Sequence, residues 1–267
     1  MRFDEVLRRL FNKEMTPEEA ERILRPYWIE TVEDFARLDV GREIRRDVPE
    51  IILGEKKTVD QLIKITRRML DASGRVIISR LSREAMGKVV SSLDGDSVRI
   101  EKDEEVGILA VTKRGLEVQR LNVMVGIVTA GTADIPVARE CEFVVRYMGC
   151  ESFTVFDVGV AGIHRLLLAV RRIFEEDVDV VVAIAGREGA LPSVLGSLVN
   201  VPIIAVPTSV GYGMGGKGVA ALKAMLQSCS LGITVVNIDG GVPAGIAASL
   251  IARRISRYKE QPSKLTI

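Results

Sequence analysis

Histidine is nearly absent: His164 is the only one in 267 residues. A zinc site built on several imidazoles is thereby excluded. Cysteines are three, Cys141, Cys150 and Cys229. That odd number lacks CxxC spacing and suits a reducing compartment rather than a disulfide framework. Aromatic residues make up 4% of the chain, with a single tryptophan, too few for the stacking platforms that hold single-stranded nucleic acid. Neither sign of charge dominates, since 37 basic against 36 acidic residues leave +1. No global field therefore favours nucleic acid or an anionic membrane as a partner. No uncharged apolar run reaches the ~20 residues of a bilayer span. The charged, amphipathic opening MRFDEVLRRLFNKEM does not read as a secretory signal. The expected address is the cytoplasm.

What is present divides into two halves. Charge concentrates in residues 1–120, whereas 121–267 is rich in Val, Ile, Ala and Gly, giving two expected domains. In the first, Thr16 caps a helix that opens on Pro17, Glu18 and Glu19, with Ala20, Ile23 and Leu24 on its apolar stripe. Phe3, Val6, Leu7 and Leu10 form a similar stripe before it. Helices at 58–71 and 82–93 and strands at Val76–Ser79, Val98–Ile100 and Ile108–Val111 complete a small α/β unit.

The second half alternates apolar strands with helices. Strands are expected at Val123–Val128, Thr154–Val158, Val178–Ile184, Ile203–Val206 and Ile233–Ile238. Helices are expected at Asp134–Met148, Ile163–Glu175, Leu191–Val199, Gly218–Gln227 and Ala244–Tyr258. Uninterrupted apolar strands separated by helices predict a parallel sheet covered on both faces, a three-layer doubly wound α/β fold of flavodoxin-like type. Ligands of such sheets bind at the carboxyl ends of the strands.

Unusual residues collect at those ends. The five loops carry Thr129 to Asp134, Gly159 to Arg165, Ala185 to Pro192, Pro207 to Gly216, and Asn237 to Gly241. The third is the oddest, because Arg187 and Glu188 occupy a glycine-rich turn that would be neutral if it simply cradled phosphate. Thr129, Gly131 and Thr132 fit phosphate contacts or an ordinary turn. Asp134 fits a helix cap or a ribose contact. Arg165 fits an anion or a surface ion pair. His164 is functional by position, its role open. Gly186, Arg187, Gly189, Ser209, Gly211, Gly215 and Gly216 are candidate substrate contacts. The stretch Gly211–Gly218 is not a dinucleotide GxGxxG, lacking that motif's context. From spacing alone, Cys229 reads as a buried inert thiol, as do Cys141 and Cys150.

The strings GIVTAGTADIPVARE, DVGVAGIHRL, AGREGALPSVLGSLVNVPIIAVPTSVGYG and GGKGVAALKAMLQSC resemble the pyridinium-3,5-biscarboxylic acid mononucleotide synthases, which open nickel-pincer cofactor synthesis. The resemblance covers the second half in order and spacing, and the first more loosely around Gly41–Thr58. A more distant resemblance is to the aminoimidazole ribonucleotide carboxylases and mutases of purine synthesis. They share the core fold, the His164-Arg165 pair and a third loop opening Ala-Gly and closing Leu-Pro. Glu188 and the Ser228-Cys229 pair depart from them.

The first resemblance implies a carboxylase/hydrolase taking nicotinic acid adenine dinucleotide and CO2 to the dicarboxylated mononucleotide and AMP. It implies Cys229 as a nucleophile adding to the ring, Glu188 as the base that removes the ring proton, and His164 in a further catalytic role. It also implies Mg2+, with Asp134 and Asp239 as candidate ligands of the metal or contacts of a ribose, and a homo-oligomer, an octamer built from dimers. The alternatives are the imidazole carboxylase/mutase reaction and a nucleotide-binding protein without turnover.

Overall fold

A computed structural model describes residues 3–259. Residues 1–2 and 260–267 of the two expected domains, and the Phe3 side chain of the first apolar stripe, lie outside the described residues. One compact unit ends at Leu116 and the other begins at Glu117.

The first unit runs α1 (Phe3–Phe11), α2 (Pro17–Leu24), β1 (Glu30–Val32), β2 (Ala36–Leu38), α3 (Arg42–Arg46), β3 (Ile51–Leu53), α4 (Val59–Ser73), β4 (Arg75–Ser79), α5 (Arg83–Ser91), β5 (Val98–Asp103) and β6 (Ile108–Lys113). Thr16 and Glu19 exchange side-chain and backbone bonds in a capping box at the start of α2, so two of the helix's orphan N–H groups are satisfied. Thr58 and Gln61 do the same for α4. The sheet has order β3-β4-β6-β5, with β3 parallel to β4 and the remaining pairs antiparallel. Leu62, Ile65 and Met69 of α4 and Met86 and Val89 of α5 bury against Val76, Ile78, Leu109 and Val111.

The second unit runs β7 (Met124–Thr129), α6 (Ile135–Tyr147), β8 (Glu151–Val155), α7 (Ile163–Glu175), β9 (Val180–Ala185), α8 (Leu191–Leu195), β10 (Ile203–Pro207), α9 (Val219–Leu226), β11 (Ile233–Val235) and α10 (Gly241–Lys259). Its five strands are parallel in the order β11-β10-β9-β7-β8, the doubly wound, flavodoxin-like order.

Strand alternation feeds two separate cores. Val125, Ile127, Val180, Val182, Ile184, Ile204 and Val206 pack against α6 and α10 through Ala138, Cys141, Ala244 and Ala248. Val128, Val181, Ala183, Ala185, Ile203 and Ala205 face the other way, onto Leu166, Leu191, Leu195, Ala221 and Met225 of α7, α8 and α9. All six residues of β9 are buried.

Several boundaries differ from expectation: α10 starts at Gly241 rather than Ala244, and β5 and β6 run on to Asp103 and Lys113. β8 begins earlier, at Glu151, and stops before Asp157, whose left-handed φ of 58° breaks an extended run. The Gly196–Val199 stretch leaves α8 for tighter turns such as Leu198 N–H to the Leu195 carbonyl. β11 is an edge strand ending at Val235.

Candidate functional site

The order reverses between β7 and β9, where the loops after the two strands flank a crevice, the usual ligand position of this fold. Backbone bonds zip neighbouring loops together on either side of it. Val158 N–H donates to the Thr129 carbonyl, Gly159 N–H to Ala130, and Arg187 N–H to Val210.

A buried carboxylate organises the crevice. Asp134 is 3% exposed. One oxygen accepts from the Gly131 N–H at 2.9 Å and the other from the Thr208 hydroxyl at 2.6 Å. Burial pushes its carboxyl above the usual range, Thr208, Gly131 and Gly186 donors pull it back, and the negative charge of Asp239 adds to the rise. Its side chain makes no capping bond to α6 itself but caps the turn leading into it through the Gly131 N–H, and the Thr208 and Gly186 donors make it a clamp across the first, third and fourth loops.

Thr129 also turns inward. It is fully buried and its hydroxyl accepts from the Asp157 N–H at 3.1 Å, fixing the first loop to the second. Asp157 in turn holds Arg165 in an ion pair, which was one of the two readings of that arginine. His164 lies exposed in the first turn of α7 and makes no hydrogen bond or ion pair among the described residues.

In the third loop, Gly186 sits where a Cβ would lie 2.4 Å from the Val210 carbonyl oxygen and 2.8 Å from Thr208 Oγ1. Only glycine lets this loop press onto the fourth. Arg187 adopts a left-handed φ of 53° and lays its guanidinium over Tyr212, 4.4 Å from the ring centroid. Glu188 projects into solvent beside it and makes no hydrogen bond among the described residues. Gly189, at φ 64°, packs against the Ala221 backbone.

The fourth and fifth loops are joined by the Ser209 N–H, which donates to Asp239 Oδ1 at 2.8 Å. Thr132, Ser209 and Gly211 are exposed, and Gly215 and Gly216 half-buried. Non-glycine residues with positive φ stand in four of the five loops, as Asp157, Arg187, Lys217 and Asp239, a concentration of strain that marks functional loops.

Cys229 departs from expectation: it is exposed, while Cys141 and Cys150 are buried and burial pushes both of those thiols up. It follows α9, which opens at Gly218 against the Thr208 backbone at the rim and runs back toward Gly232, whose carbonyl receives the N–H of Ile203 at the start of β10. The turn around Cys229 is held by Ser193, whose hydroxyl lies 2.8 Å from that of Ser228 and whose carbonyl accepts from Ser230 Oγ.

The magnesium expectation fits these residues poorly. Asp134 spends both oxygens on protein donors and Asp239 spends one on Ser209. Among the described residues no group of three or more His, Cys, Asp or Glu side chains gathers, and no helix is long and apolar enough to cross a membrane.

Sequence reasoning missed Asp157, Thr208 and Tyr212. The signal for Thr208 was a polar residue directly beyond an apolar strand; Asp157 was hidden inside the expected strand Thr154–Val158, and the aromatic ring had no signal beyond its place in a glycine-rich loop.

Residues 29–113 match the LarB/PurE-like N-terminal domain and residues 124–265 match AIR carboxylase. An uncharacterised protein of Methanocaldococcus jannaschii is 39% identical, over 91% of this chain and 93% of its own. The N5-carboxyaminoimidazole ribonucleotide mutase of the same organism is 30% identical, over 53% of this chain and 91% of its own. A PurE2 structure from Treponema denticola aligns at 20% identity with a TM-score of 0.38, covering 54% of this chain and 98% of that one. On its matched second unit, joined to a LarB/PurE-like N-terminal domain, the chain belongs to the AIR carboxylase family of PurE-related carboxylases and mutases.

Proposed function

We propose that this protein carboxylates the pyridinium ring of nicotinic acid adenine dinucleotide and hydrolyses the phosphoanhydride, releasing AMP and pyridinium-3,5-biscarboxylic acid mononucleotide. The observation that carries the reading is the exposure of Cys229 in a chain whose other two thiols are buried. An accessible thiol has chemistry to offer that buried ones do not.

A pyridinium carbon is electron-poor and does not attack CO2. Addition of the Cys229 thiolate to the ring places an electron pair on the nitrogen and turns the ring into an enamine. The enamine carbon forms the new C–C bond to CO2. Glu188 then removes the proton from that carbon, and the electron pair re-enters the ring. Cleavage of the C–S bond expels the thiolate and restores the pyridinium. Water afterwards divides the anhydride. Arg165, with N–H groups beyond the one given to Asp157, suits a phosphate at the rim. The Gly131 N–H does not, being committed to Asp134.

The reaction uses Cys229 and Glu188 on one ring. The reading takes the protein as a homo-oligomer in which Cys229 of one copy meets the rim of another; the octamer built from dimers is part of the same proposal. Exposed apolar residues support it, with Leu226 at 65% and Leu231 at 91% flanking the cysteine.

The second reading is an aminoimidazole ribonucleotide carboxylase or mutase, favoured by the His164-Arg165 pair and the named relatives. Its substrate is already an enamine and needs no thiol. Incubation with nicotinic acid adenine dinucleotide and bicarbonate, with and without Mg2+, is expected to yield AMP and the dicarboxylated mononucleotide, and Cys229→Ala to yield neither. Unchanged turnover in Cys229→Ala would overturn the covalent route in favour of the imidazole reaction. Tight dinucleotide binding with no product would instead mark a regulatory protein.

A further inference from the structure

Tyr212 is 80% exposed on the rim, yet its ring is not bare, because Arg187 of the neighbouring loop covers one face. Other arginine–ring pairs in this unit, Arg172 with Phe153 and Arg254 with Tyr258, belong to strand and helix surfaces. Among the described residues, the pair at the rim is the one that joins two of the loops that form the crevice. Its arginine holds a left-handed backbone, and the Arg187 N–H bond to Val210 at 3.0 Å fixes both partners in step. The adjoining residue is Glu188, the base of the proposed reaction.

An aromatic face carries partial negative charge and attracts cations. In this structure the cation on Tyr212 is a guanidinium. A pyridinium offers the same positive charge on a flat ring, with stacking added; a neutral imidazole or a reduced dihydropyridine does not offer the charge. We propose that the face of Tyr212 covered by Arg187 is the docking face of the pyridinium, which displaces the guanidinium and is thereby selected for its charge. This rests on the carboxylase reading above. The displaced Arg187 remains next to a ring that bears a carboxylate, for which its fork is suited. The pair also explains why an arginine precedes the catalytic glutamate: it occupies the ring's place until substrate arrives.

The test uses the full chain in a Cys229→Ser background, so that no covalent adduct intervenes. Calorimetry compares nicotinic acid adenine dinucleotide with its 1,4-dihydro form. The background protein is expected to prefer the oxidised ring roughly tenfold, the size of a partly desolvated cation–π contact. Tyr212→Phe is expected to keep that preference and Tyr212→Leu to abolish it. An undiminished preference in Tyr212→Leu overturns the proposal, as does its loss in Tyr212→Phe, which would assign the effect to the hydroxyl. Tyr212 is exposed, so unchanged melting curves in both variants are expected to confirm folding. Absence of carboxylated product from the unmodified protein, read separately, would instead overturn the reaction itself.

Discussion

The Thr208 hydroxyl donates to Asp134 Oδ1 at 2.6 Å across 74 positions of sequence, and both residues are buried. The bond joins the loop after β7 to the loop after β10 over the head of β9. Removing the donor leaves a buried carboxylate short of a partner. Thr208→Val is expected to lower stability by about 1–3 kcal/mol, read as a shift in denaturant midpoint at unchanged slope.

The same carboxylate makes stability depend on pH. Its folded pKa is raised, chiefly by burial, so the native state binds this proton more tightly than the unfolded chain does. The contribution is favourable below the ordinary aspartate range and is lost as pH rises through the folded value. Asp134→Asn removes that titration. Its stability, measured from about pH 4 toward neutrality, is expected to fall less with rising pH than that of the unchanged protein.

Thiol labelling separates the cysteines. Iodoacetamide added to the native protein is expected to add one group, at Cys229, and none in Cys229→Ser; denaturation should expose Cys141 and Cys150 as well. Intact mass spectrometry counts the labels. Labelling of either buried thiol under native conditions would contradict the packing of α6 and β8.

Sharing of the site between copies has its own assay. Cys229→Ala and Glu188→Gln are each expected to be inactive or impaired, Glu188→Gln by about 10²–10⁴-fold as for loss of a general base. Co-assembly of the two variants should restore a fraction of activity, because some sites receive an intact thiol and an intact base. No recovery in verified mixed oligomers would place both groups in one chain.

Gly186→Ala probes the loop contact directly. The added Cβ meets a backbone carbonyl rather than a movable side chain, so a destabilisation of about 1–3 kcal/mol is expected, together with weaker substrate binding. Thermal melting and calorimetry read the two effects.

The doubly wound sheet was legible because β7, β9 and β10 are apolar on both faces and their helices carry clear periodicity; α7 was expected at Ile163–Glu175 and spans those residues. In the first unit, β1, β2 and β3 have three residues each, too few to show alternation, and escaped notice with the short α3. The rim itself could be read from glycine and polar residues at strand ends. What could not be read was direction. Thr129 and Asp134 are the residue types that bind ligands, but they spend their polar atoms on neighbouring loops. For Cys229 the apolar helix before it argued for burial, whereas the residue lies past the helix end, where its neighbours turn toward solvent.

The uneven faces of β9 carry a consequence for the chemistry above them. Val180, Val182 and Ile184 stand on one side, and Val181, Ala183 and Ala185 on the other. Ala183 and Ala185 share a core with Leu191 and Leu195 of α8, the helix that directly follows the loop of Arg187 and Glu188. A larger side chain at Ala183 or Ala185 is therefore expected to push on α8 and retune the rim without altering any residue on it.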